Sequence, residues 1–146
     1  MGAPVASVGL IGDKRLEKKL NALASGAVRR RMERASLKKA LPIGREAVKA
    51  AAPVGDTGNL RRSIKSEVRD RIGTVYGIIG ADWTFARHAH LVELGSSERF
   101  HSSGKSVGRM TPRPFMEPAI KSSQSAMGRA LEEELKQQIL LEARRG

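Results

Sequence analysis

Residues 53–59 (Pro-Val-Gly-Asp-Thr-Gly-Asn) divide the chain into two regimes, and this division constrains its fold more than any other feature. Before the turn, apolar residues recur at helical spacing. Leu16, Leu20, Leu23 and Ala27 share a face, while Lys14, Lys18, Lys19 and Arg29 to Arg31 take much of the rest. Asp13 can cap the start, and Gly26 weakens the middle only slightly. Pro42 lacks a backbone donor and disfavours helix at Leu41, which predicts a kink or break there. A second helical stretch then covers 43–52, with Ala47, Val48 and Ala51 on one face, and Pro53 stops it.

After the turn the period changes. Leu60, Arg62, Ile64, Ser66 and Val68 alternate, and residues 74–80 (Thr-Val-Tyr-Gly-Ile-Ile-Gly) are rich in strand formers. With a turn at 70–73 they predict two antiparallel strands. Residues 85–94 fit either a short helix or a third strand. Residues 95–111 are Ser/Gly-rich and basic, a length of loop that is usually functional or disordered. A last helix begins near Arg113, where prolines suit the first turn, and carries Met127, Leu131, Leu135 and Ile139 at four-residue intervals. The expectation is one α+β domain over 1–146, a small, mostly antiparallel sheet with long helical segments at both ends. Its parts are an extension at 1–12, a helical arm at 13–52, a sheet region at 60–94, a basic loop at 95–112 and a C-terminal helix at 113–143 packed on the sheet.

Composition narrows the function classes. Lys and Arg outnumber Asp and Glu by 27 to 15, a net charge of +12, which favours nucleic acid, anionic membrane or an acidic protein face as neighbours. Aromatics make up only 3% of the chain. Few large side chains then anchor the core, and a fold that finishes burying its apolar surface against other copies suits this composition. With no cysteine, disulfides and thiolate metal sites are excluded. No apolar run approaches the roughly 20 residues needed to span a bilayer, and residues 1–10 lack a signal peptide's basic and apolar regions. These features predict a soluble, cytoplasmically made product without a membrane partner.

Few residue patterns in the chain suit catalysis or metal binding. His88, His90 and Glu93 resemble metal ligands, but neither strand nor helix spacing brings all three together. Residues 55–58 (Gly-Asp-Thr-Gly) lack a Walker lysine and a preceding strand, and as an aspartic protease motif they lack a second lobe. No nucleophile elbow occurs. The expectation is a protein that is not an enzyme and carries no cofactor or metal. Arg29, Arg30, Arg31 and Arg34 suit tracking of phosphates, so non-specific binding of duplex DNA is the rival from another class. Stacking on single strands is poorly supplied.

The order of the motifs carries more than any one of them. Ala52-Pro53 is followed by Thr57-Gly58-x-Leu60-Arg61-x-Ser63-Ile64, then a β segment, then residues 90–95 (His-Leu-Val-Glu-Leu-Gly). A variable loop precedes residues 112–119 (Pro-Arg-Pro-Phe-Met-Glu-Pro-Ala) and the last helix. Over roughly 35–143 this resembles the small tail-component family encoded between capsid and tail-tube genes of long-tailed bacteriophages. Leu91 stands where the family often has an aromatic, and Leu94-Gly95-Ser96 replaces a commoner Phe/His-Gly-Thr.

The resemblance implies a virion protein of the neck at the top of the tail, made in the bacterial host. It implies a homo-hexameric ring that completes the tail and joins it to the head connector or stopper ring, with the tail terminator or tail tube beyond. Viral DNA passes through its channel. The rival position is the terminator ring itself, capping the tube. Pro53, Thr57, Gly58, Leu60, Arg61, Val92, Glu93, Gly95, Pro114, Phe115 and Pro118 are then structural motif positions. Val92 and Leu94 are expected to pack under the sheet while Glu93 faces an adjacent basic surface. Arg99, His101, Lys105 and Arg109 are expected to project into the channel or onto the next ring, and Arg113, between two prolines, to pair with a carboxylate across an interface.

Overall fold

A computed structural model of the protein describes residues 6–8, 26–55, 57–82, 84, 86 and 88–145. The Asp13 cap and the leucines at 16, 20 and 23 lie outside the described residues. The chain builds β1 (Ala6–Val8), α1 (Gly26–Ala51), α2 (Asn59–Ser63), β2 (Ile64–Arg71), β3 (Thr74–Ala81), α3 (Ala89–Leu94), β4 (Arg99–Phe100), β5 (Ser106–Gly108) and α4 (Met116–Arg145). It is an α+β fold, as the change of period predicts.

The helix α1 runs unbroken through Pro42, so of the expected kink or break there is no break. Proline costs a helix one backbone bond and crowds the preceding turn. Here Leu37, Ala40 and Leu41 before it, and Gly44 and Val48 after it, are buried on one continuous face. Fully burying a large aliphatic side chain contributes about 1.5–3 kcal/mol, so packing on both sides outweighs the proline.

β2 and β3 form a tight antiparallel hairpin, Ile64 opposite Ala81 through Arg71 opposite Thr74. Ile72 and Gly73 make its two-residue turn, both with positive φ (52° and 77°), the conformation of a type I′ turn. β1 joins the other edge of β3, antiparallel, giving the order β1-β3-β2. Thus a strand lies within the segment read as an extension. The sheet region also opens and closes on helix. α2 precedes β2, because Gly58 at φ 61° starts a helical turn that buries Leu60. The ambiguous 85–94 stretch ends in α3, a helix.

The pleat sorts the hairpin into two faces. Ile64 and Ile79 are buried, and Val68, Val75 and Ala81 pack beside them against the helices. Gly77 lies under Leu41 so closely that a Cβ there would stand 2.6 Å from a leucine methyl. Gly44 admits Met127 and Ile79 in the same way, so α1, α4 and the sheet meet at one point. α4 runs antiparallel along α1: Met32 clusters with Leu135, and Arg31 hydrogen-bonds Glu142.

Candidate functional site

The motif residues converge at two junctions. The first joins α1 to the sheet. Pro53 follows the last turn of α1, whose Ala52 carbonyl accepts from Arg61 (3.4 Å). The Thr57 hydroxyl accepts from the Asn59 N–H (3.4 Å), and Arg62 donates to the Thr57 carbonyl and the Asn59 side chain. Ser63 returns its hydroxyl to the Leu60 carbonyl (2.6 Å). Thr57, Gly58, Leu60 and Arg61 therefore reverse the chain and peg it with one buried leucine.

The second junction joins α3 to the start of α4. Glu93 is buried, and its carboxylate accepts from three backbone N–H groups: Phe115 (2.8 Å), Met116 (3.2 Å) and Glu117 (3.3 Å). Those are donors that the first turn of a helix leaves without partners, and the negative charge also suits the positive end of the helix dipole. The expectation that Glu93 faces an outside basic surface is thereby corrected: it caps α4 from 22 residues upstream. Leu94 is exposed and not under the sheet, while Val92 packs against the core and its carbonyl accepts from the Arg113 N–H (2.8 Å). The Arg113 side chain is exposed. Phe115 is buried beside Met116, and Pro118 occupies the first turn of α4, where a missing N–H costs little.

Gly95 completes this clamp. At φ 72° it turns the chain away from α3, and a Cβ there would stand 2.7 Å from the Met110 carbonyl. Next to it the Ser96 N–H donates to that carbonyl (3.0 Å), and the Met110 N–H donates back to the Ser96 hydroxyl (3.1 Å). Between these anchors the basic loop is a small hairpin of β4 and β5. Every residue from 97 to 114 is exposed, including Phe100 (63%) and Val107 (59%). Arg99, His101, Lys105 and Arg109 all lie on it, with His101 held by Ser103 (3.1 Å). Among the described residues no ion pair engages Arg99, Lys105, Arg109 or Arg113. The exposed apolar residues escape a sequence reading because they sit singly among Ser, Gly and Arg, with no period to betray them.

The arginines that read as a phosphate track are differently placed. Arg29 pairs with Glu33, Arg30 and Arg34 with Asp70, and Arg31 with Glu142. Each is at least partly neutralised from within. Among the described residues, no three His, Cys, Asp or Glu side chains gather as a metal-binding group, and no helix is long and apolar enough to cross a membrane.

No curated protein and no solved structure matches the chain. A family does match, over residues 14–95, more than half the chain, covering the basic helix, the first junction, the strand hairpin and α3 up to Gly95. The chain belongs to that family, the HK97-gp10-like tail components of bacteriophages.

Proposed function

We propose that the protein is a structural component of the neck, a homo-oligomeric, six-membered ring that completes the tail and joins it to the head connector around the DNA channel. The observation that supports this best is the hairpin at 97–114. It carries exposed Phe100 and Val107 among cations that no ion pair engages among the described residues, and it leaves the body through a clamp built from both ends. Phe100 and Val107 stand together on this one small hairpin stem, which offers another molecule an apolar contact rimmed by cations. In a ring, such a stem reaches a neighbouring subunit or the next ring. Arg99, Lys105, Arg109 and Arg113 suit an acidic face of the head connector, stopper, tail terminator or tail tube, or the DNA passing through.

Binding of free duplex DNA is the weaker reading, because the α1 arginines are paired with Glu33, Asp70 and Glu142. The test replaces residues 97–108 with a short Asn-Gly turn, leaving Ser96 and Met110 to close the clamp. The variant is expected to fold normally, yet to leave heads and tails unjoined when it complements a phage lacking the gene. Normal joining would overturn the proposal. A ring that binds tube ends without engaging heads would assign the terminator position instead.

A further inference from the structure

The neck proposal requires a contact between copies, and two exposed surfaces on this chain fit one another. The first is the hairpin, with Phe100 and Val107 exposed. Over residues 97–114 it carries four Lys or Arg and one acidic residue, Glu98. The second is the last third of α4. There Leu140 (56%) and Leu141 (46%) are exposed, and one and a half to two turns earlier stand Glu133 and Glu134. These two carboxylates accept from Gln137 and Gln138, and no ion pair engages them among the described residues. On a chain of net charge +12, residues 132–142 hold four glutamates against one lysine, Lys136, so the apolar pair stands in an acidic stretch of α4.

The two surfaces cannot meet within one molecule. The hairpin springs from the N-terminal end of α4, where Glu93 caps Phe115 to Glu117. Leu140 stands 24 residues beyond Met116 on the same helix, roughly 36 Å along its axis at 1.5 Å per residue. A strand pair as short as this one reaches at most about 25 Å. Surfaces that are complementary, different and at opposite ends make a head-to-tail contact, the kind that closes into a ring or runs on as a filament.

We infer that the hairpin of one copy docks on the C-terminal part of α4 in the next copy. Phe100 and Val107 cover Leu140 and Leu141, and the hairpin cations face Glu133 and Glu134. The contact runs over the turns from Glu133 to Leu141 and stops short of Arg144. This rests on the ring reading, and the experiment separates the two.

The chain has no cysteine, so paired cysteines report one contact only. Val107→Cys and Leu140→Cys are combined in one full-length chain and treated with a short bismaleimide, with each single variant as control. A ladder of covalent oligomers ending at the ring size is expected from the double variant, monomers from each single variant, and a covalent dimer when the two singles are mixed. Rings seen by light scattering that give no ladder would overturn this docking and leave the ring standing. A chain that stays monomeric with its tail partners present would overturn the ring reading and the docking together. Combined Glu133→Lys and Glu134→Lys is expected to weaken assembly at least tenfold while the helical circular dichroism is unchanged. Undiminished assembly of that variant would overturn the docking.

Discussion

Replacing Glu93 tests whether the α3–α4 junction is a cap or a contact surface. Its carboxylate takes the N–H groups of Phe115 and Met116, both in the interior, and of Glu117, nearer the surface. Glu93→Ala leaves these donors without an acceptor. An orphaned buried donor costs about 1–3 kcal/mol, and losing a cap typically costs about 0.5–2 kcal/mol. Against this stands the desolvation of the carboxylate itself, which its removal relieves. Taking two buried donors at the low end of about 1 kcal/mol each, one partly hydrated donor as negligible, and the lost charge at the helix end as about 1 kcal/mol, the cost before that relief comes to about 3 kcal/mol, and the relief lowers the net toward about 2 kcal/mol. Glu93→Gln keeps one acceptor oxygen but turns an NH2 toward donors, and is expected to cost about 1–2 kcal/mol by the same terms. Urea unfolding with unchanged m-values measures both. If Glu93→Ala unfolds within 0.5 kcal/mol of the parent, roughly the scatter of surface substitutions, the capping argument is wrong. A variant of full stability that fails only in assembly would restore Glu93 to an outward-facing role.

Other consequences are smaller and separable. Ile72 is β-branched, 94% exposed and held at φ 52°. Ile72→Asn is therefore expected to stabilise the hairpin by about 1 kcal/mol, read as a higher melting temperature, and no gain would mean that the turn is not of the type inferred. Gly77→Ala drives a Cβ into Leu41 and is expected to cost about 1–3 kcal/mol. Adding Leu41→Ala should return part of that loss, and independent, additive costs would deny the contact. The Asp82 carboxyl, hydrogen-bonded by Lys65 and by Thr84, is held below its ordinary value of 3.8. Its contribution to stability is therefore present above that value and is lost as pH falls through the lowered one. Carbon NMR titration should show Lys65→Ala moving the Asp82 midpoint upward, and an unmoved midpoint would exclude Lys65 as the cause.

What the sequence disclosed was largely periodic. The four-residue spacing of Met127, Leu131 and Leu135 predicts a buried helical stripe, and all three are buried. The alternation from Leu60 to Val68 predicts a strand, and β2 pairs along its whole length from Ile64, but Leu60 and Arg62 lie in the helical turn α2. Aperiodic features misled or stayed silent. Pro42 announces a break by local rules, yet the burial of Leu41, Gly44 and Val48 lies on a surface that exists only once α4 and the sheet are in place. Glu93 sits in a short helix whose partner, the start of α4, is a spatial neighbour at a separation no local pattern encodes. β1 is three residues long, too short for alternation to register.

The clamp also explains why the Val-Glu-x-Gly and Arg-Pro-Phe segments accompany one another on this chain. The family match ends at Gly95, yet its last helix supplies the Glu93 carboxylate on which the first turn of α4 depends. Gly95 and Ser96 fix one strand of the hairpin stem, while Met110 and Arg113 fix the other through Ser96 and Val92. Nothing in this arrangement depends on residues 97–108, none of which is buried. The stem is thus specified by the geometry of the clamp alone, and the tip is free to carry whichever cations and apolar side chains its partner requires. A change of partner would then alter residues 97–108 without touching Glu93, Gly95 or Phe115, so exchanging the tip should transfer partner choice at no cost in fold stability.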